Sequence, residues 1–104
     1  MIRYYDRQGQ PITDTLVWAK LFEDQAYKRI AETTLADGRW VSTVWLGLNH
    51  NYGTGPPLIF KSMVFPSQDN MNELDCERYS TEEEAKDGHR KLAEKWSEPM
   101  RDEG

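Results

Sequence analysis

The chain has 104 residues and a net charge of −5, from 18 acidic and 13 basic side chains. Its length is that of one domain, and its 38% hydrophobic content with four tryptophans excludes a wholly disordered chain. The acidic balance makes nucleic acid an unlikely partner, and the single cysteine, Cys76, excludes an internal disulfide and the disulfide-dense secreted scaffolds.

The first 26 residues predict two short strands and a helix. Residues 2–5 are β-branched and aromatic, a turn follows, and Pro11 limits the second strand to a sheet edge. Thr13 or Asp14 can cap a helix whose apolar positions include Leu21. This stretch resembles no signal peptide, and no run in the chain reaches membrane-spanning length. We therefore expect a cytoplasmic protein with no membrane association.

The central segment predicts a hairpin, with strands over 27–35 and 39–48 joined at an Asp-Gly turn. Alternation places one set of side chains of the returning strand on one face, Trp40, Ser42, Val44, Leu46 and Leu48. It places a second set on the other face, Val41, Thr43 and Trp45. Both sets are apolar or small, which indicates a central strand covered on both sides, at least in part.

Residues 41–60 contain no Asp, Glu, Lys or Arg, although such residues make up 30% of the chain. This window predicts a hairpin with one face in the core and one face available for a partner. If the partner face is that of Trp45, then Trp45 and Tyr52 are exposed, and Val44, Leu46 and Leu48 lie beneath the helices. The alternative places Trp45 in the core.

The loop over 49–57 is the candidate binding site. It offers amides, an imidazole, a phenol and glycines that let a ligand approach the backbone. Together with the neighbouring tryptophan, the candidate binding residues are Trp45, Asn49, His50, Asn51, Tyr52, Gly53 and Gly55. The alternative interpretation is a hairpin loop whose composition serves its conformation alone.

The last third predicts a strand over 58–65, a short edge strand over 74–79 and a helix that begins with a capping box of Ser80 and Glu83. Ala85, His89, Leu92 and Trp96 form one stripe of that helix. The sequence thus predicts an α+β fold, an antiparallel sheet of four to five strands with two amphipathic helices mainly on one face, in the order ββαβββα. Residues 1–96 form the single domain, and 97–104 a flexible tail.

No catalytic or metal-binding motif accompanies these elements. His50, Cys76 and His89 lack the close spacing of zinc ligands, and His89 is predicted to be packed and hydrogen-bonded. The acids on either side of Cys76 suppress its thiolate. No nucleophile, base and orienting group can be assembled, so we expect no cofactor, no metal and no enzymatic activity.

Three stretches, IRYYDRQGQPI, DGRWVSTVWLGLNHNYGTGPPLIFKSMVF and RYSTEEEAKDGHRK, resemble a family of small uncharacterised proteins encoded by bacteriophages and prophages. The resemblance implies an accessory protein that is expressed in the cytoplasm of a bacterial host and has a host-takeover or counter-defence role. We therefore expect a protein that binds a protein partner or associates with itself as a homodimer. The alternative is a small-ligand protein that binds or sequesters a nucleotide at the 49–57 loop.

Overall fold

The computed structural model describes residues 4–49 and 55–97. The strands in these ranges are β1 (Tyr4–Tyr5), β2 (Pro11–Ile12), β3 (Arg29–Thr34), β4 (Trp40–Trp45), β5 (Phe60–Phe65) and β6 (Asp75–Tyr79). The helices are α1 (Thr15–Glu23), α2 (Gln25–Lys28) and α3 (Glu82–Ser97).

Four strands form the main sheet, in the order β3-β4-β5-β6, and every neighbouring pair is antiparallel. In the central register Thr43 of β4 lies opposite Ser62 of β5, which lies opposite Glu77 of β6. Strands β1 and β2 pair separately as a small hairpin. Each strand of the main sheet therefore pairs with the strand next to it in the chain, as short connections favour.

The helices contact one face of this sheet. His89 of α3 hydrogen-bonds to Thr43, while Phe22 of α1 and Tyr27 at α2 lie against the ring of Trp45. Thr43 and Trp45 share a face because they are two residues apart on one strand. We call this the helix face, and the opposite side, which carries Trp40, the outer face.

Two buried clusters form the core on the helix face. One joins Leu35, Val41, Val64 and Leu92. The other joins Trp45, Ile59, Phe60 and Ala85, with the rings of the N-terminal hairpin and of α1 packed around it. The uncharged window, residues 41–60, thus contributes Val41, Trp45, Ile59 and Phe60 to the core. Large apolar side chains have the most favourable free energies of transfer from water.

The helix ends follow local signals. The Asp14 carboxylate accepts a hydrogen bond from the Leu16 backbone N–H at 2.9 Å, which caps α1 as predicted. At α3 the capping box is one residue later than Ser80, because the Thr81 hydroxyl accepts from the Glu84 N–H and the Glu84 carboxylate accepts from the Thr81 N–H.

The predicted α+β class, the antiparallel sheet and the helices on one face are confirmed. Two details differ. A short helix, α2, precedes β3 where the sequence predicted the start of a strand. Asp24 explains it, because its carboxylate accepts from the N–H groups of Ala26 and Tyr27 and caps a new turn. The predicted edge strand is confirmed as β6, so four strands separate α2 from α3, one more than in the predicted order ββαβββα.

Candidate functional site

Trp45, a candidate binding residue, lies in the core. Its side chain is 0% exposed, and its indole N–H donates to the Tyr5 carbonyl at 2.9 Å. The expectation that Trp45 is exposed above a core of Val44, Leu46 and Leu48 is therefore wrong, since those three are only half-buried. Burial also removes Trp45 as a stacking surface for a nucleotide.

The 49–57 loop is described only at its two ends. The Asn49 side-chain carbonyl accepts a hydrogen bond from the Leu58 N–H at 3.1 Å and so ties the ends together. Gly55 has a φ of 116°, a conformation that side chains disfavour, and it is exposed. The other candidates in this loop, His50, Asn51, Tyr52 and Gly53, lie outside the described residues.

A chain of polar side chains crosses the sheet beneath α3. His89 contacts the Thr33 hydroxyl through Nε2 at 2.9 Å and the Thr43 hydroxyl through Nδ1 at 2.7 Å. Thr43 in turn hydrogen-bonds to the Ser62 hydroxyl. The prediction of a packed, hydrogen-bonded His89 is confirmed, and both ring nitrogens are satisfied.

This polar chain does not form an accessible site within the described residues. Thr43 and Ser62 are each 0% exposed, so no substrate can reach their hydroxyls. Burial lowers the pKa of His89, and no carboxylate hydrogen-bonds to its ring to stabilise the imidazolium. The neutral imidazole therefore links α3 to three strands as a structural element.

An accessible groove of about 650 Å³ lies between the edge strand β6 and helix α3. Its strand side is formed by Glu77, Arg78 and Tyr79. Its helix side is formed by Glu84, Asp87, Gly88, Lys91, Leu92 and Lys95. Sequence reasoning missed this groove because it depends on how two separate segments pack.

Gly88 sets the distance between the two sides of the groove. A Cβ atom at this position would lie 2.2 Å from the Tyr79 ring and hydroxyl, so only glycine lets Tyr79 lie flat against α3. Burial raises the pKa of Tyr79, and the neighbouring Ser62 hydroxyl acts in the opposite direction without reaching hydrogen-bonding geometry. A glycine inside a predicted helix was the sequence signal for this close approach.

Two ion pairs lie along the groove. Lys95 and the Trp96 indole N–H both donate to the Asp75 carboxylate, and these contacts, Trp96 first, hold the pKa of Asp75 below its usual range. Lys91 pairs with Asp87 at 3.1 Å. The middle of β6 differs, because neither Glu77 nor Arg78 forms an ion pair with another described residue, and both are exposed.

The backbone of β6 is open on the side away from β5. The Cys76 N–H donates to the Asp75 side chain at 2.9 Å instead of to β5, whereas the Tyr79 carbonyl accepts from the Ile59 N–H. Backbone groups alternate along a strand, so the N–H of Arg78 and the carbonyls of Cys76 and Arg78 point outward. No described strand pairs with them.

Residues 4–49 and 55–97 contain no group of three His, Cys, Asp or Glu side chains that could hold a metal ion. Within the same ranges, no helix has the length and apolar character needed to span a membrane. No protein-family model, curated protein or solved structure matches the chain.

Proposed function

We propose that this protein acts without catalysis, by binding an extended segment of a partner protein along β6 in the groove beside α3. The observation that carries the proposal is the free edge of β6, whose outward N–H and C=O groups border a 650 Å³ groove. An added strand satisfies such groups through main-chain hydrogen bonds, and a neighbouring groove receives alternate side chains.

The other edge of the main sheet, strand β3, is less suited to strand addition than β6. Strand β3 has a register irregularity between Arg29 and Ala31, and an ion pair of 2.6 Å joins Arg29 to Glu32. Near its other end, Gln68 donates to the Thr34 hydroxyl. Bulges and charges of this kind obstruct strand addition, and β6 pairs in regular register with β5 throughout.

A phage accessory protein, the setting that the sequence resemblance implies, would use such a groove to engage a host protein. Host takeover and counter-defence both act through binding, so a binding groove serves either role. A short edge strand also suits a reversible interaction, since its main-chain hydrogen bonds give affinity over a small interface.

Affinity capture from bacterial lysate with an Arg78→Pro variant tests the proposal. Proline removes the outward N–H of Arg78 and leaves the pairing with β5 intact, because that N–H points away from β5. Proteins captured by the wild type should be lost with Arg78→Pro. Circular dichroism checks that the variant is folded.

Glu32→Pro is the matched control, because it places proline on the outward side of the other edge. The Leu35 N–H donates to Arg39 across the hairpin, so alternation directs the Glu32 N–H away from β4. Glu32→Pro should keep the captured proteins. Three results would contradict binding at β6: both variants lose the captured proteins equally, both retain them equally, or the wild type captures no protein specifically.

A further inference from the structure

The middle of β6 carries two charges of opposite sign on opposite faces. Glu77 points to the helix face and Arg78 to the outer face, because they lie opposite Ser62 and Lys61 of β5. Both side chains are exposed, and neither forms an ion pair within the described residues. A strand added to β6 therefore brings its own side chains directly opposite these two charges.

A second copy of the chain does not fit this edge. In a two-fold antiparallel pairing, outward residues lie opposite outward residues, so the axis passes through a residue of β6. An axis at Glu77 places Glu77 opposite its own copy, and an axis at Arg78 places the two arginines opposite each other. An axis at Cys76 places Asp75 opposite Glu77. An axis at Asp75 places two aspartates opposite each other, and an axis at Tyr79, where β6 ends, leaves no other pair of β6 residues opposite each other. Each axis therefore either opposes like charges, which is destabilising, or leaves almost no ladder between the two strands.

We infer that the occupant of β6 is an extended, antiparallel segment of a different protein that carries an acidic residue followed directly by a basic residue. The acidic side chain lies opposite Arg78 on the outer face. The basic side chain lies opposite Glu77 on the helix face, and the order is fixed because an antiparallel segment passes Arg78 before Glu77. This inference rests on the proposed function and names the class of partner.

In the bound segment, the residues on either side of the acidic–basic pair should be apolar or small. The next residue of the segment lies opposite Cys76, which is half-buried on the outer face beside Met63. The residue before the pair lies opposite Tyr79 on the helix face, where Leu92 is buried at the wall of the groove. β-Branched residues suit both places, since they favour extended backbone and pack against a half-buried surface.

Two peptides of identical composition test the order of the charges. The first is acetyl-Thr-Val-Glu-Lys-Val-Thr-amide, and the second exchanges the central residues to Lys-Glu. Titration into the ¹⁵N-labelled protein, followed by NMR, should give shifts at β6 and α3 with the first peptide. Its dissociation constant should be roughly tenfold lower than that of the second, because two opposite-charge pairs replace two like-charge pairs.

The double variant Glu77→Lys, Arg78→Glu should invert this preference, and its fold should be unaffected because both side chains are exposed. Inversion supports the inference. Equal binding of both peptides, binding of neither, or a wild-type dimer in sedimentation that Arg78→Pro abolishes would overturn it. If Arg78→Pro still abolishes capture from lysate in any of these cases, the proposed function is retained and only the inferred order of the two charges is rejected.

Discussion

The two faces of β4 have similar side chains and different surroundings. On the helix face, Val41, Thr43 and Trp45 are each 0% exposed, beneath rings from α1 and α2 and the imidazole of α3. On the outer face, Trp40 and Val44 are half-buried. Composition along one strand therefore does not decide which face becomes core. The face that becomes core is the one to which other segments of the chain bring aromatic side chains.

The outer face is covered by different means. Trp40 stacks on Phe65, with ring centroids 5.6 Å apart. The indole N–H of Trp40 is buried without a hydrogen-bond partner among the described residues. The loop after β5 reaches this face, where Glu73 pairs with Lys61 at 3.0 Å. A stacked ring pair and one ion pair stabilise this side, whereas two hydrophobic clusters stabilise the helix face.

Replacing one tryptophan at a time by alanine, Trp45 on the helix face or Trp40 on the outer face, gives the sharpest test of the difference between the two faces. Trp45→Ala should lower the free energy of unfolding by about 3 to 5 kcal/mol, because it leaves a cavity in a closed core. Trp40→Ala should cost about 1 to 2 kcal/mol, since the ring is only partly removed from water. Urea melts measure both. Equal losses would show that the two faces are energetically equivalent.

Gly88→Ala tests the packing between α3 and β6 on the helix face. Alanine usually stabilises a helix relative to glycine, but here its methyl group overlaps the Tyr79 ring. We expect a net loss of about 1 to 3 kcal/mol in thermal or urea unfolding. In a Tyr79→Ala background the same change should stabilise the protein, and a loss in both backgrounds would contradict the steric explanation.

The buried His89 gives the helix face a pH dependence. Its pKa is lowered in the folded state by burial, so the unfolded chain binds the proton first as the pH falls. The stability should be fully present above the unfolded pKa of about 6.5 and should decrease as the pH falls below it. Urea melts between pH 7.5 and 5.5 measure this decrease.

His89→Gln is the control for the pH series, because it keeps hydrogen-bonding groups and does not titrate. Its stability should change less than that of the wild type over the same range. Parallel curves for the two proteins would assign the pH dependence to another group, such as His50.

The smallest effect should come from the ion pair on the outer face. Glu73→Gln removes the charge that faces Lys61, and we expect a loss of at most about 1 kcal/mol, because exposed pairs are screened by water and salt. The loss should shrink further when melts are repeated in about 1 M salt. A loss as large as that of Trp45→Ala would overturn the ranking of the two faces.

Local signals explain what the sequence predicted well. Asp14 and the stripe of Ala85, His89 and Leu92 were assigned correctly, since capping and helical periodicity act within a few residues. Alternation also placed Trp40 and Trp45 on opposite faces. The orientation of those faces was not predictable, because Trp45 becomes core only through the rings of Phe22 and Tyr27, which the sequence does not place beside it.

The groove beside β6 was not predictable from the sequence for the same reason, and the 49–57 loop stays a prediction. The 49–57 loop was chosen by composition, and loop composition reports turn conformation as well as binding. The groove beside β6 arises from the packing of Tyr79 on Gly88. The unpaired Glu77 and Arg78 become informative only when β6 is known to be an edge.

The order of the strands also has a consequence for folding. Because β3, β4 and β5 each pair with the strand that follows in the chain, the sheet can form through successive hairpins. Helix α3 contacts all four strands and is synthesised after them. During synthesis, Val41 and Val64, which pack against Leu92, therefore remain exposed to water and to chaperones until residues 82–97 leave the ribosome and the helix docks.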